Sequence, residues 1–316
     1  MGSEGWQATR AAYGEALVEL GRTDPRVVVL DADLSKSTYT YKFAGEFPDR
    51  HFNMGIAEQN MMGVAAGLAT AGKIPFASTF AVFASGRAFD QLRVAICYPG
   101  LSVKIGASHA GITVGEDGAS HQALEDLALM TALPNMTVVV PADGREARQA
   151  VFAAAASPGP WYLRLGRPVV PVVTPPDYRF SPGRGLVLRE GKEVAIVACG
   201  VMVARALEAA EALAAEGIEV AVINMSSLKP LDGELVVRWA RTCGAVVTAE
   251  EHSIINGLGA AVAAVLGEEY PVPLQRVGVQ DRFGQSGPPD ELMVAYGLAV
   301  PDLCRAVRQV CRRKRG

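Results

Sequence analysis

Hydrophobic residues follow two alternating spacings along the first half of the chain. Short runs rich in β-branched and aromatic residues predict strands at "RVVVLDADL", "RHFNMG", "IPFAST", "LSVKIGAS", "MTVVVPAD" and "WYLRLG". Between these runs, apolar positions recur with helical spacing over residues 8–21, 57–71, 82–97, 122–132 and 144–156. Strands that alternate with helices predict a parallel β-sheet that is covered by helices on both faces.

A second block of the same kind follows a proline-rich segment. "RPVVPVVTPPDYRFSPGRG" (167–185) has no helical period and predicts a linker, which we place at residues 167–190. Beyond it, "EVAIVACG", "IEVAVINM", "GAVVTAEE" and "PLQRVGV" predict strands, and helices are predicted over 202–216, 231–242, 256–267, 289–296 and 301–312. The sequence therefore predicts an α/β protein of two domains, 1–166 and 191–316, each with a mostly parallel sheet flanked by helices.

The carboxyl ends of the predicted strands indicate where a site would lie, because parallel α/β sheets bind ligands beyond those ends. In the first block these positions are chemically varied: Asp31, Asp33, Ser37, Glu58, Thr79, Phe80, His109 and Arg164. In the second block they are Gly200, Ser226, Lys229, Glu250, Glu251 and His252. The first set is the richer one, and it predicts a functional site in the first domain.

A single carboxylate, Glu58, stands at the head of an apolar helix in "NMGIAEQNMM" (53–62), and no further charge follows until Lys73. An acid near a helix N-terminus is stabilised by the helix dipole by about 0.3–1 kcal/mol, which requires no function. The alternative is a buried carboxyl that shares a proton with a bound ligand. Position alone leaves both interpretations of Glu58 open.

The segment "GASHAGITVGEDGASHQALEDLA" (106–128) contains His109 and His121, together with Asp117, in a glycine-rich loop. The spacing of twelve residues between the histidines does not suit two metal ligands on one helix face, so we predict no metal site here. Polar loops at strand ends often carry function, which favours a binding or catalytic loop over a plain surface loop.

Composition narrows the classes of function further. The net charge of −3 over 316 residues argues against a nucleic-acid partner. Five cysteines without a CxxC pair predict reduced thiols rather than a disulfide framework or a zinc site. The N-terminus lacks the apolar core of a signal peptide, and no apolar run approaches the ~20 residues of a membrane span. These features predict a cytoplasmic globular protein without a membrane partner.

Several longer segments resemble one known family, in order and at the family's spacing. Five segments resemble the pyrimidine-binding domain of transketolase: "QATRAAYGEALVELGRTDPRVVVLDADLSKSTYTYKF", "NMGIAEQNMMGVAAGLA", "STFAVFASGRAFDQLR", "SHAGITVGEDGASHQALEDLA" and "YLRLGRP". Two later segments, "INMSSLKPLD" and "DRFGQSG", resemble the transketolase C-terminal domain. The combination of "GIAEQN" with "GEDGASHQ" is far more specific than any single short motif.

One departure from the family changes what the resemblance implies. A complete transketolase begins with a domain marked by GDG and a later Asn, which binds the diphosphate of thiamine diphosphate through a metal ion. That motif is absent here, so the chain resembles the C-terminal subunit of a split transketolase. The resemblance implies thiamine diphosphate as cofactor, with Mg²⁺ or Ca²⁺ held by an N-terminal diphosphate-binding partner subunit, in an assembly of the α2β2 type.

The resemblance also implies roles for individual residues. The acid equivalent to Glu58 hydrogen-bonds N1′ of the cofactor's aminopyrimidine and takes part in catalysis. Phe80 and Phe83 match the aromatic pocket for that ring, and Phe83 is expected to make the direct contact.

The remaining matched positions are implied to bind sugar phosphates. His109 and His121 are expected to act in catalysis by hydrogen-bonding substrate oxygens near the reacting carbons, and Asp117 is expected to bind a substrate hydroxyl. Arginine suits phosphate because its planar group donates two parallel hydrogen bonds. The phosphate clamp at the mouth of the substrate channel is matched by three residues: Arg10, Ser37 and Arg164.

The implied reaction is the transfer of a two-carbon ketol unit from a ketose phosphate to an aldose phosphate. Two other enzyme families stay open: 1-deoxy-D-xylulose-5-phosphate synthase, which usually has arginine in place of His109, and the beta chain of 2-oxo-acid dehydrogenases, which usually differs from "GEDGASHQ". The non-enzyme alternative is an inactive half that only binds a partner. Retention of Glu58 and both histidines favours a catalytic subunit.

Overall fold

The computed structural model describes residues 5–315. Its first half contains the following strands and helices: β1 Trp6–Ala8, α1 Thr9–Thr23, β2 Val27–Asp31, α2 Ser35–Thr38, α3 Tyr41–Glu46, β3 His51–Asn53, α4 Glu58–Thr70, β4 Ile74–Phe80, α5 Phe89–Gln91, β5 Lys104–Ser108, α6 Asp126–Ala132, β6 Thr137–Val139, α7 Gly144–Ala156, β7 Trp161–Arg164 and β8 Val169–Pro171. Short 3-10 turns cover Pro48–Arg50 and Ile112–Asp117.

The second half continues in the same alternation. Its elements are β9 Leu186–Arg189, β10 Val194–Ala198, α8 Met202–Ala214, β11 Val220–Asn224, β12 Ser227–Lys229, α9 Gly233–Cys243, β13 Val246–Ser253, α10 Leu258–Glu269, β14 Leu274–Val279, α11 Pro289–Ala295 and α12 Val300–Arg315. The predicted alternation of strands and helices is therefore confirmed in both halves.

Two large sheets organise the described residues. The first has seven strands in the order β12-β6-β7-β5-β4-β2-β3, and every neighbouring pair is parallel except β12 with β6. The second has five strands in the order β14-β13-β10-β11-β9, and only β9 is antiparallel to its neighbour. The predicted fold class, two domains with mostly parallel sheets flanked by helices, is confirmed.

Helices cover both faces of the first sheet, and β2 shows how the sequence directs this. Val27 and Val29 belong to the apolar cluster that α1 and α7 cover, whereas Val28 and Leu30 belong to the cluster on the opposite face, which includes Met61 of α4. Successive side chains of a strand point to opposite faces. A strand that is buried on both faces must therefore be apolar at every position, as the run before Asp31 is.

Three features differ from the sequence expectations. The segment predicted as a linker, 167–190, contains two short strands, because β8 pairs with β1 and β9 joins the second sheet. The strand β12 lies in the second half of the chain but joins the first sheet, so the two halves are connected by backbone hydrogen bonds. The helix predicted over 82–97 is broken into wider turns at Phe83–Arg87 and Leu92–Cys97 on either side of α5. The domain limits themselves stay a prediction.

The order of the first sheet decides which residues meet. β2, β4 and β5 are neighbours and run parallel, so their carboxyl ends lie along one edge. Phe80 ends β4, and Ser108 ends β5. α4 follows the next strand outward, β3, and begins at Glu58. This edge is where open α/β sheets bind ligands.

Candidate functional site

Four rings that are separated in sequence meet at the edge where β4 and β5 end. The centroids of the Phe80 and His109 rings are 3.8 Å apart, with 21° between the ring planes. Phe83 stacks on Phe80 at 5.7 Å and 12°, and His121 meets the Phe83 ring edge-on at 5.3 Å. Stacked and edge-on pairs are favourable arrangements of aromatic rings. The structure thus brings together two phenylalanines and two histidines that were all predicted as site residues.

Glu58 is connected to these rings through Arg87 and is almost completely buried. It is the first residue of α4, and only 4% of its surface is exposed. Its Oε1 atom lies 3.1 Å from Nη1 of Arg87, and the Arg87 guanidinium lies 4.0 Å from the centre of the Phe83 ring. Because the Arg87 side chain is 52% exposed, the group that pairs with the carboxylate can move into solvent. Glu58 is therefore both an acid at a helix N-terminus and a buried carboxyl.

Arg87 is missing from the residues predicted above, although the sequence holds a signal for it. It is the only charged residue between Lys73 and Asp90. A lone charge in such a stretch lies either in solvent or against a specific partner, because a buried unpaired charge is very costly. In the structure Arg87 is half exposed and also pairs with Glu58.

Arg10 and Ser37 lie on the other side of His109. The Arg10 Nη1 atom donates to the Ser37 carbonyl at 2.8 Å and lies 3.3 Å from His109 Nε2. Burial, together with the nearby charges of Arg10 and Arg167, lowers the pKa of His109 to about 3, so the ring is neutral at neutral pH. Because a guanidinium only donates, Nε2 of His109 is the acceptor and Nδ1 carries the proton, which it donates to Ser108 Oγ at 2.9 Å.

Asp117 and His121 lie in the loop that follows His109. Asp117 is exposed, and Ser120 Oγ lies 2.9 Å from Nδ1 of His121. The nearest cation to Asp117 Oδ2 is Arg167, whose Nη1 atom is 3.8 Å away. The same Nη1 atom donates to the Val114 carbonyl.

Arg167 is a second residue that the sequence reasoning missed. Its carbonyl accepts from Arg10 Nε at 3.3 Å, so the two arginines lie side by side at the outer part of the site. Its side chain is 35% exposed. The segment "YLRLGRP" contains two arginines, Arg164 and Arg167, and either could match the phosphate clamp. Only their burial in the structure distinguishes them.

Arg164, the first arginine of that segment, is not brought to the outer part of the site. It is 5% exposed, and its guanidinium binds the Asp126 carboxylate through Nε at 2.8 Å and Nη2 at 3.1 Å. Nη2 also donates to the carbonyls of Ala123 and Glu251. A guanidinium held by four internal contacts leaves little to offer a substrate phosphate. We therefore correct the prediction and expect Arg167, rather than Arg164, beside Arg10.

Two further properties concern the whole described chain. Within residues 5–315, no group of three or more His, Cys, Asp or Glu side chains is arranged to hold a metal ion. In the same range, no helix has both the length and the apolar character that crossing a membrane requires. Where the metal ion of the implied cofactor is held stays a prediction.

Comparison with known proteins places this geometry in context. Residues 6–172 match the transketolase pyrimidine binding domain, and residues 183–303 match the transketolase C-terminal domain. A putative transketolase C-terminal section of Methanocaldococcus jannaschii is 46% identical over 312 residues, which cover 98% of each chain. A 6-deoxy-6-sulfo-D-fructose transketolase subunit of a Clostridium species is 46% identical over 306 residues, which cover 96% of this chain and 95% of the relative.

One solved structure is similar over the full length. It is described as a split gene transketolase, inactive beta4 tetramer. It is 63% identical to this chain, with a TM-score of 0.91, over 97% of this chain and 99% of the other.

Proposed function

This chain belongs to the transketolase family, and we propose that it is the C-terminal subunit of a split transketolase that depends on thiamine diphosphate. The assembled enzyme would transfer a two-carbon ketol unit from a ketose phosphate to an aldose phosphate. The observation that carries the proposal is the buried carboxylate of Glu58, which Arg87 links to the stacked rings of Phe83 and Phe80. A buried carboxyl next to an aromatic surface suits a planar, nitrogen-containing ring.

The residues of this edge fit the aminopyrimidine end of the cofactor. Phe83 presents a ring face that is covered by the Arg87 guanidinium, so a planar group can take the place of that cation without disturbing the core. Glu58 would bind a ring nitrogen, and Phe83 and Phe80 would fix the orientation of the ring. When bound, thiamine diphosphate supplies the nucleophilic carbon and the electron sink that ketol transfer requires.

The diphosphate end and its Mg²⁺ or Ca²⁺ belong to an N-terminal partner subunit in this proposal. The description of one relative as a C-terminal section and of the solved structure as a split gene transketolase supports a two-chain enzyme. That solved structure is described as an inactive beta4 tetramer, which supports self-association without activity for a chain of this kind. We propose an α2β2 assembly as the active form.

The polar groups around His109 would bind the sugar phosphate. His109 is neutral, so it would act as a hydrogen-bonding group for a substrate oxygen rather than as a cation. Asp117 and His121 would bind substrate hydroxyls from the loop that follows. Arg10 and Arg167 lie side by side and would bind the terminal phosphate, with Ser37 next to Arg10.

A second class of substrate follows from one relative. The subunit that is 46% identical is described as acting on 6-deoxy-6-sulfo-D-fructose. A sulfonate and a phosphate are both tetrahedral oxyanions, and two adjacent arginines can bind either group. A sulfo-ketose is therefore the second candidate donor, and the ratio of kcat/KM for the sulfonate and the phosphate sugar decides between the two.

The test is reconstitution. The purified chain is mixed with its N-terminal partner subunit, thiamine diphosphate, Mg²⁺, xylulose 5-phosphate and ribose 5-phosphate, and sedoheptulose 7-phosphate is measured. We expect product from the complex and none from this chain alone. Absence of product from an assembled, cofactor-loaded complex, with both phosphate and sulfonate donors, would overturn the proposal.

The same complex tests the other families. Turnover of pyruvate with glyceraldehyde 3-phosphate would identify a 1-deoxy-D-xylulose-5-phosphate synthase-like enzyme. Stable association with a lipoyl-carrying acyltransferase would identify a 2-oxo-acid dehydrogenase beta chain. Binding of the partner without any turnover would identify an inactive half.

A further inference from the structure

The loop of residues 110–122, which we call the substrate loop, carries Asp117 and His121 and follows directly after His109. Its backbone takes left-handed conformations at three glycines, with φ of 82° at Gly111, 84° at Gly115 and 76° at Gly118. The 3-10 turns over Ile112–Asp117 are interrupted at Gly115, so no continuous helix or strand holds the loop by regular hydrogen bonds. The position of its side chains must therefore depend on what the loop packs against.

The second half of the chain supplies that support through Glu251. This residue lies on β13, and its Oε1 atom accepts a hydrogen bond of 2.5 Å from the backbone N–H of Thr113. The carboxylate also lies against the backbone of Gly111, where a Cβ would come within 2.3 Å of the Glu251 Cδ atom. Glycine at this position is thus required by the close approach of a side chain that lies 140 residues further along the sequence.

Glu251 is itself held in place. Its backbone carbonyl accepts from Nη2 of Arg164 at 3.0 Å, and Arg164 is anchored by the buried carboxylate of Asp126. The end of β13 is therefore tied to the first sheet at a fixed position. The carboxylate is 4% exposed, and burial raises the pKa of Glu251, although the charge of Arg164 and the Thr113 N–H act in the opposite direction.

A second contact closes the other end of the loop. Nε2 of Gln122 lies within 3.3 Å of the Ile112 and Gly115 carbonyls and donates at 2.9 Å to the Gln285 carbonyl, which belongs to the second half. The substrate loop thus lies between Glu251 on one side and the segment around Gln285 on the other.

We propose that Glu251 is a positioning residue for the substrate-binding side chains of the loop. It does not reach the reacting atoms. Its carboxylate fixes the backbone at Thr113, and through it the orientation of Asp117 and His121 toward the sugar. The second half of the chain, to which the sequence assigns no catalytic group, would act on the reaction through this hydrogen bond. The role in catalysis depends on the proposed function, whereas the role in holding the loop does not.

The neighbouring residue provides a matched control. Glu250 is also buried on β13, and burial raises its pKa to about 7. It likewise accepts backbone N–H bonds, from Leu258 at 2.7 Å and Gly259 at 2.8 Å, but these belong to the first turn of α10. Replacing Glu250 removes a bond of the same type without touching the substrate loop.

The first measurement is hydrogen exchange of the full chain, read by mass spectrometry, for Glu251→Ala, Glu251→Gln and Glu250→Gln. We expect exchange over residues 110–122 to rise about tenfold or more in Glu251→Ala, the change that loss of one charge-assisted hydrogen bond produces. Glu251→Gln should show a smaller rise, because the amide oxygen still accepts. Glu250→Gln should raise exchange at the start of α10 only.

The second measurement is steady-state kinetics of the complex with the partner subunit. Glu251→Ala should raise KM for the ketose donor about ten- to a hundredfold, while the affinity for thiamine diphosphate stays within about twofold, because Glu58 and Phe83 lie outside the loop. Glu251→Gln should recover most of the loss, and Glu250→Gln should leave KM unchanged. A purely structural role would lower donor and cofactor binding together.

Two results would overturn the inference. One is unchanged exchange over 110–122 in Glu251→Ala. The other is a loss of substrate and cofactor affinity in parallel, or an equal loss in Glu250→Gln. If the wild-type complex transfers no ketol unit, the proposed function fails, and the exchange experiment still decides whether Glu251 holds the loop. Should Glu251→Ala not fold, exchange over 110–122 is compared in Glu251→Gln and Glu250→Gln. A rise in Glu251→Gln alone supports the inference, and no rise in it overturns the inference.

Discussion

Two ion pairs of the molecule each join a buried carboxylate to an arginine, and they differ in how that arginine is held. In Glu58–Arg87, the carboxylate is buried, the Arg87 side chain is 52% exposed, and its guanidinium lies over the Phe83 ring. In Asp126–Arg164, both side chains are at most 5% exposed, and the guanidinium makes further contacts to two carbonyls. The Arg87 guanidinium can therefore move into solvent and leave Glu58, whereas the Arg164 guanidinium is buried and stays bound to Asp126.

This difference distinguishes the proposed ligand site at Glu58 from a structural junction at Asp126. A buried carboxylate without any stabilising partner is very costly. Asp126 depends on Arg164 for this, whereas Glu58 also lies at the N-terminus of α4, where the helix dipole favours a negative charge. At Glu58, a ligand that offers a hydrogen-bonding ring can take over that function when the half-exposed arginine moves away. At Asp126 no exchange of partners is accessible, and the pair joins β7 to the end of β13 instead.

The largest expected effect is on activity, from Glu58→Ala. We expect kcat of the reconstituted complex to fall roughly 10²- to 10⁴-fold, the contribution of a positioned acid–base group. Exchange of the C2 proton of thiamine diphosphate, followed by NMR, should slow to a similar extent, while assembly with the partner persists. Glu46→Gln, at an exposed carboxylate paired with Arg22, is the control. Full activity in Glu58→Ala would remove the central part of the proposed site.

The next effect is on stability, from Arg164→Leu. It leaves the buried Asp126 carboxylate without a cationic partner, with a hydrogen bond from the Tyr162 hydroxyl remaining, so the free energy of unfolding should fall by about 3–5 kcal/mol, measured by urea denaturation. Arg87→Leu, at the pair that is open to solvent, should change it by no more than about 1 kcal/mol. Equal losses in the two variants would show that the two ion pairs do not differ in the way described above.

Arg167→Leu tests the arginine that lies three residues after Arg164. KM for the sugar phosphate should rise about ten- to a hundredfold, because charge-assisted hydrogen bonds to the substrate anion are lost. Steady-state kinetics of the complex measure this change, and Arg22→Leu on the surface serves as control. If KM is unaffected, the assignment of the anion-binding role to Arg167 is wrong.

The smallest effect is on cofactor binding, from Arg87→Leu. The guanidinium no longer covers Phe83, and a half-exposed ion pair worth up to about 1 kcal/mol no longer has to open, so affinity should improve up to about fivefold. Isothermal titration of the complex with thiamine diphosphate measures it. Weaker binding would instead make Arg87 a direct ligand of the cofactor.

Much of the fold was predictable because it depends on local patterns. The apolar run before Asp31 predicts a strand that is buried on both faces, and helical spacing predicts α4 and α7 with ends close to the observed ones. The strand-end rule then placed Phe80 and His109 at the same edge, and their rings do stack. These predictions need only the alternation of elements and the parallel order of the sheet.

Other features could not be predicted, because they depend on contacts between distant segments. All four residues of β7 are buried, so the burial pattern of this strand does not show that Arg164 binds Asp126. It also does not show that Arg167, three residues later, lies at the outer part of the site. The pairing of β12 with β6 joins residues that are about 90 positions apart in sequence. The bond from Thr113 to Glu251 spans 138 residues, and no local signal marks either end.

The sequence by itself determined most of the elements, the two-domain α/β fold and the sheet edge at which the candidate site lies, because burial periodicity and strand ends are local properties of the chain. Only the tertiary structure decided which charged residues stay partly exposed at the candidate site and which are buried in ion pairs. The energy of a charged group depends on what surrounds it in space, and here those surroundings come from segments of both halves.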